Sequence, residues 1–521
     1  MTSQLISKDQ ALRTQALEKL VREKKIEHFP LISAINQKRL YLYDQQLVTI
    51  GEPIAADRSD EYQVLKVYPD TKILRNNQGG VMAKKRAELT EVRFSRPARL
   101  ILLPVLPYVN LVSPKLETRK LAFVQFQQNG NPEDLKILSD ARDLENDNYM
   151  SRLATETILS IQLKSSKITE KVHSLVDQLV SNQGDNTAYI LEQYLEQIPK
   201  SHPSYSYILT QKEDLEDRAS RIALIQNAFS GVSLGSILIM IALGLSIIYG
   251  LAGVINMAHG EFMMIGAYTT FCVQEIFNSI SPNSSGNLSF FLSLPLAFVV
   301  AGAFGLLIER LVLRKLYNRP LESLLATWGI SLILIQLARS IFGDLTSVST
   351  PFVLSGGWEV IPQLVLPYNR LFIIVMTIVL VALVYFFLYK SNNGLRIRAV
   401  TQNRDMSACL GISTAKIDAM TFFIGSGIAG MAGCCITLIG NVVPDMGQTY
   451  VVDSFLVVVS GGVGNLFGSV IAGLGIGQLT KALEPIFHAV YGKVIILIVI
   501  MIFLQFKPKG LFPAKGRISE D

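Results

Sequence analysis

Ile255-Asn256-Met257-Ala258-His259-Gly260-Glu261 interrupts an apolar run that extends from Gly231 to Val273. The run is long enough for two membrane crossings, since one crossing needs roughly 20 apolar residues. Its middle nevertheless carries an amide, an imidazole, a carboxylate and several glycines. Polar side chains at membrane depth are costly and face a cavity or another helix. A helix break is tolerated there only where protein or water satisfies the freed backbone groups. Two readings fit. The stretch is either an interfacial turn or a glycine-flanked break lining a solute path, bordered by Asn256, His259 and Glu261.

Outward from this stretch the chain divides by composition. Residues 1–220 are densely charged and hold no long uncharged apolar run, which predicts a soluble domain, mainly α-helical. Residues 221–515 hold one apolar segment after another, which predicts an all-α polytopic membrane domain of about eight segments. The net charge of +6 is no nucleic-acid signal, because much of the excess sits in short loops between membrane segments. All four cysteines lie in the membrane half, so the soluble part holds no disulfide. Met1–Gln10 lacks a basic start followed by an apolar core, so the chain as it stands shows no secretory signal peptide.

Within the soluble part, apolar positions at Leu12, Ala16, Leu17 and Leu20 have helical spacing. Leu40–Tyr43 and Leu47–Ile50 flank Asp44-Gln45-Gln46 and read as a small hairpin. Leu100–Val112 is apolar but too short to cross a bilayer. Helices of moderate length are expected over residues 116–198, broken near Gly130 and Gly184, in pairs that suit an irregular α-solenoid. Residues 199–220 read as a polar linker and a short amphipathic lead-in to the membrane part.

The loops orient the membrane part. Loops 309–320 and 390–418 and the tail with Lys507, Lys509, Lys515 and Arg517 are basic, whereas loops 279–290, 343–370 and 441–453 hold a single basic residue, Arg370. Basic loops mark the cytoplasmic side. With spans at 291–308, 321–342, 371–389 and 419–440, counting back places residues 1–220 outside the cytoplasm. Counting forward makes 454–480 a re-entrant pair of helices broken at Gly461-Gly462-Val463-Gly464, before a last crossing at about 489–506. Gly461, Gly462 and Gly464 then join Asn256, His259 and Glu261 as the candidate solute path, one glycine break in each of two related halves.

Several chemistries are absent. No Gly-x-x-x-x-Gly-Lys-[Ser/Thr] occurs, so the chain holds no ATP through a P-loop, and neither His-Glu-x-x-His nor Cys-x-x-Cys occurs. His259 and Glu261, two apart, fall on different faces of a helix and make a poor catalytic pair. Loop 390–418 contains Gly394-Leu395-Arg396-Ile397-Arg398 and Gln402-Asn403-Arg404, with Gly411 beyond. Ile397, Val400, Arg404 and Ala408 recur at helical steps, so one short basic helix ending at Gly411 is expected. It is either a solvated face or a docking helix.

Residues Gly231–Ser236, Tyr249–Phe262, Gly394–Gly411 and Gly461–Gly464 closely resemble the branched-chain amino-acid type permeases of ABC transporters. Within that family, Arg319–Ile330, Val400–Met406 and Pro444–Gln448 resemble the urea-transporter permease subunit. The resemblance covers about 228–515. It implies one half of an inner-membrane channel importing urea, with branched-chain amino acids or short amides as the alternative solutes and a passive channel as a third possibility. The partners it implies are a homologous second permease, two ATP-binding subunits that use the ATP, a periplasmic solute-binding protein and membrane lipid. No cofactor is implied in the chain itself. Gly394, Arg396, Arg398, Gln402, Asn403, Arg404 and Gly411 would then form the coupling surface for the ATPase. Such subunits begin with an export signal, and this chain departs from them there.

Overall fold

The computed structural model describes residues 2–7, 10–44, 46–53, 61–67, 72–73, 82–166, 168–253, 256–280, 287–316 and 319–512. Expectations that fell on Ile255, Gln45, the middle of loop 279–290, and Lys515 and Arg517 lie outside the described residues. The chain forms two compact units, Met1–Ala219 and Ser220–Asp521.

In the first unit, helices of six residues or more are α1 (Gln10–Glu23), α2 (Phe29–Asn36), α3 (Leu116–Asn129), α4 (Leu135–Asp143), α5 (Asn148–Ser165), α6 (Thr169–Asn182) and α7 (Thr187–Gln197). Leu17, Leu20, Phe29, Ile32 and Phe123 fill one core, and Leu159, Val176 and Leu191 join α5–α7 in another. The apolar stretch 100–112 lies in the first core through Leu102, Val105 and Val109.

The strand content exceeds the sequence expectation. Beside the helices stands an antiparallel sheet of β1 (Leu40–Tyr43), β2 (Gln46–Pro53), β3 (Glu61–Lys66), β4 (Lys72–Ile73), β5 (Ala83–Lys85) and β6 (Thr90–Glu91). Its order is β4-β3-β2-β1-β6, with β5 also on β3. The expected hairpin is its seed, with Leu40 opposite Thr49 and Tyr43 opposite Gln46. β4, β5 and β6, of two or three residues each, are too short to alternate visibly in sequence, and the mainly helical reading also passed over β3, whose Glu61-Tyr62-Gln63-Val64 does alternate. The expected linker also differs, because the chain is helical from Tyr205 onward. Residues 211–219 are Gln, Lys, Glu, Asp, Leu, Arg and Ala with no Gly or Pro, all tolerated in a helix.

The second unit is built from α8 (Tyr205–Ile247, shared with the first unit at its start), α9 (His259–Ile280), α10 (Asn287–Leu311), α11 (Pro320–Phe342), α12 (Tyr368–Lys390), α13 (Asn392–Gln402), α14 (Arg404–Cys409), α15 (Thr414–Ile436), α16 (Met446–Gly461) and α17 (Leu466–Phe506). Among the described residues, six helical segments are long and apolar enough to cross a membrane, and Tyr491–Phe506 is a shorter apolar one. α9 has 22 residues, but His259, Gly260 and Glu261 dilute its hydropathy and it is not among these spans, so fewer segments than the expected eight are long and apolar enough. One departure from an all-α membrane domain is a hairpin in loop 343–370, β7 (Gly357–Ile361) with β8 (Leu364–Pro367).

α17 is not straight. A Cβ on Gly492 would lie 3.8 Å from the Leu483 side chain, whereas nine residues of straight helix advance about 13 Å. The helix therefore doubles back between Leu483 and Gly492, and its two limbs are the returning helix and the final crossing.

Loops of like charge lie together. Thr346 and Val442, from two loops poor in basic residues, form a bridge with N···O of 3.0 and 2.8 Å. Asn369 Nδ2 donates to the carbonyl of Leu438 at 2.9 Å, and Gln226 Nε2 to that of Gln363 at 3.0 Å. The latter bond holds the start of the membrane unit level with loop 343–370. On the opposite face, Arg314 from one basic loop reaches the carbonyl of Ala415 beside another.

Candidate functional site

The first break forms where α8 runs into a π-helical turn, Ile248–Ala252, and ends at Gly253 in the left-handed region. α9 restarts at His259. Asn256 Oδ1 accepts from the backbone N of Ala258 at 3.1 Å and so closes the turn before it. The chain is pinned from outside by Thr327 Oγ1 of α11, which accepts from Met257 N at 3.1 Å.

All three polar residues singled out in this stretch are buried. His259 Nε2 lies 3.1 Å from the carbonyl of Ile241 in α8, which requires the proton on Nε2 and leaves Nδ1 as an acceptor. Glu261 points the other way and accepts from Ser331 Oγ of α11 at 2.8 Å. Their opposed directions follow from their two-residue spacing. Asn256 Nδ2, His259 Nδ1 and Glu261 Oε2 remain buried without partners. Such orphans are expensive in a packed interior and mark a place where a water, solute or movement supplies what is missing.

The second break, Gly461–Gly464, joins α16 to α17, with Gly462 at φ 105° and Gly464 at φ 79°. Asn465 caps α17 by accepting from Gly468 N at 3.1 Å. α16 has sixteen residues and is about 24 Å long, so this break lies near the far end of a crossing. The chain past the last crossing returns to it. Leu511 N donates to the carbonyl of Ser460 at 2.8 Å, Phe512 N to that of Gly461 at 3.2 Å, and Asn465 Nδ2 to that of Phe512.

The two breaks touch. A Cβ on Gly250 would sit 2.4 Å from the Cα of Gly464, closer than any side chain permits. Backbone meets backbone there, and only glycine on the α8 side allows it.

Loop 390–418 corrects an expectation. The single helix expected over 395–410 is two helices, α13 and α14, because Asn403 leaves helical geometry at φ −150°, ψ 103°. Its Oδ1 accepts from Met406 N at 2.9 Å, the local competition that makes asparagine a cap. Ser391 caps α13, Gly394 sits against the carbonyls of Phe387 and Leu388, and Gly411 closes the loop at φ 81°. Arg396 and Gln402 are exposed, and Arg398 lies 5.1 Å from the Tyr389 ring centre. Arg404, expected to face a partner, is paired through both terminal nitrogens with the buried carboxylate of Asp418 in α15.

Sequence reasoning missed a further group. Asp453 of α16 faces Lys493 at 3.5 Å, and Lys481 pairs with Glu484, all on a cavity of about 440 Å³ between α8, α16 and α17. Asn256, His259 and Glu261 do not border it. The signal was present as four ionisable residues inside apolar helices. They come together only because α17 doubles back.

Comparison with known proteins follows the geometry. The family model "Branched-chain amino acid transport system / permease component" matches residues 227–504. The chain is 31% identical over 294 residues to the high-affinity branched-chain amino acid transport system permease protein LivH of Escherichia coli (strain K12), covering 55% of this chain and 94% of that one. It is 30% identical over 293 residues to permease protein BraD of Pseudomonas aeruginosa, covering 55% and 95%. To permease protein LivM of Escherichia coli (strain K12) it is 26% identical over 305 residues, covering 54% and 69%. No solved structure matches.

Proposed function

We infer a transport function from one premise: the chain belongs to the branched-chain amino acid permease family. It serves as a membrane-spanning permease subunit of an ABC importer and moves branched-chain amino acids into the cell. The observation that carries this reading is the match along nearly the whole length of LivH and BraD, both named for branched-chain amino acids. The urea reading takes second place. It keeps the support of Arg319–Ile330, Val400–Met406 and Pro444–Gln448, whereas the relatives described above carry no urea name.

The remaining parts follow the family. A homologous permease completes the channel, as the presence of both LivH and LivM among the relatives suggests. Two ATP-binding subunits hydrolyse the ATP, and a periplasmic solute-binding protein delivers the solute. Loop 390–418 receives the ATPase through Gly394, Arg396, Arg398, Gln402, Asn403 and Gly411, with Arg404 as its internal anchor to Asp418. Asn256, His259, Glu261, Gly461, Gly462 and Gly464 form two touching breaks whose movement opens the path. Residues 1–220 lie outside the cytoplasm, supported by the Gln226–Gln363 bond that sets the start of the membrane unit on the side of loop 343–370.

The test is uptake by a strain lacking this gene. Restored uptake of labelled leucine, isoleucine and valine on returning it supports the reading. Restored uptake of labelled urea alone replaces it with the second one.

A further inference from the structure

We propose that the cavity between α8, α16 and α17 is the outward-side binding site for the solute and takes a zwitterionic α-amino acid, with Asp453 receiving the ammonium and Lys493 the carboxylate. This rests on the amino-acid reading above and adds the place and the residues.

Size is the first argument. A cavity of about 440 Å³ falls in the range of small-molecule sites, which run from about 300 to 1,000 Å³. Depth is the second. Asp453 lies seven residues into α16, about 10 Å below its outer start. Ionisable groups at such depth face a partner or a watery cavity, not lipid tails. Here four of them share one cavity with both signs balanced: Asp453 against Lys493, and Lys481 against Glu484. A balanced site accepts a zwitterion without changing its net charge.

The pairing is also loose where the ligand would enter. Asp453 and Lys493 are 3.5 Å apart, longer than a charge-assisted hydrogen bond of about 2.7–2.9 Å. An amino acid inserted between them replaces one long contact by two short ones, ammonium to Asp453 and Lys493 to carboxylate. Beside polar Gln448, Thr449 and Thr480, the wall carries Leu234, Leu238, Leu456 and Ile476, an apolar side that would receive a branched side chain. The glycine breaks offer a different environment: His259 and Glu261 are buried and bonded to neighbouring helices, and Asn256 is buried and bonded within its own turn. They gate; this cavity binds.

The experiment uses the complete importer with its solute-binding protein. Asp453→Asn and Lys493→Gln are expected to raise the KM for leucine by about tenfold or more, as loss of one hydrogen bond to a charged group does. A second measurement does not depend on those variants folding. Thr449→Cys, on the cavity wall, is made with the four native cysteines replaced and labelled with an impermeant maleimide. Leucine should slow the labelling, whereas 4-methylpentanoate, which lacks the ammonium, and urea should not.

Leucine uptake by the wild type with unchanged KM in both variants and no protection overturns this site and leaves the function standing. Wild-type importer that carries urea and no amino acid overturns the function, and the zwitterion site with it. Labelling blocked by lipid or by the second permease regardless of leucine also overturns the site.

Discussion

Arg404 and Asp418 show how one contact changes what a residue is for. Read as part of a basic loop, Arg404 belongs with Arg396 and Arg398 as a docking charge. In the fold it neutralises a buried carboxylate, and removing one partner of such a pair costs about 3–5 kcal/mol when both are buried. Arg404 is itself partly exposed, so the expected loss is nearer the low end. Arg404→Glu should therefore reduce the amount of assembled, detergent-stable complex, whereas Arg398→Glu should leave assembly intact and lower uptake. Equal effects on assembly would contradict the assignment.

Glu156 gives a residue-scale prediction in the first unit. It is fully buried, and its Oε1 accepts from Thr187 Oγ1 at 2.7 Å and Asn186 N at 3.0 Å. Burial pushes its pKa above the ordinary carboxylate value, against the hydrogen bonds from Thr187, Gln127 and Asn186 that pull it down. The folded unit then binds the proton more tightly than the unfolded chain, so stability is gained as pH falls through the folded pKa and lost as it rises. The protection of α7 amides relative to their intrinsic exchange rates should rise from neutral to mildly acidic pH, and Glu156→Gln should flatten that change. The sequence could not reveal this group, because a lone glutamate inside a helix reads as a solvated face.

Among the elements, helix spans were the legible part. Apolar runs with basic and non-basic loops in alternation located α10, α11, α12 and α15 to within a few residues. Both breaks were legible as glycine clusters. Their contact was not, since Gly250 and Gly464 are far apart in sequence and only packing joins them. Gly250→Ala should collapse the assembled complex, because the new methyl falls 2.4 Å from a backbone atom and overpacking of this kind costs about 1–3 kcal/mol or more. Gly329→Ala, with no atom within 4 Å, is the silent control. The split between α13 and α14 was written in Asn403 as a cap, but helical periodicity across it drew a single helix. β4–β6 were hidden by their shortness, whereas the alternation in β3 was legible and passed over.

At the scale of the molecule, two proposals belong together: that the chain is threaded through the membrane with its first unit outside, and that it carries amino acids with partner ATPases. For the threading, Ser151→Cys in a background without native cysteines should react with impermeant maleimide on intact spheroplasts. Reaction only after lysis would reverse the sidedness of every loop. For the transport claim, the most direct measurement is ATP-driven accumulation in proteoliposomes holding this chain, its second permease, the ATP-binding subunits and the solute-binding protein. The account predicts that labelled leucine accumulates when ATP is supplied on the ATPase side and that a hundredfold excess of urea leaves its rate unchanged. Accumulation of labelled urea with no accumulation of leucine would contradict it.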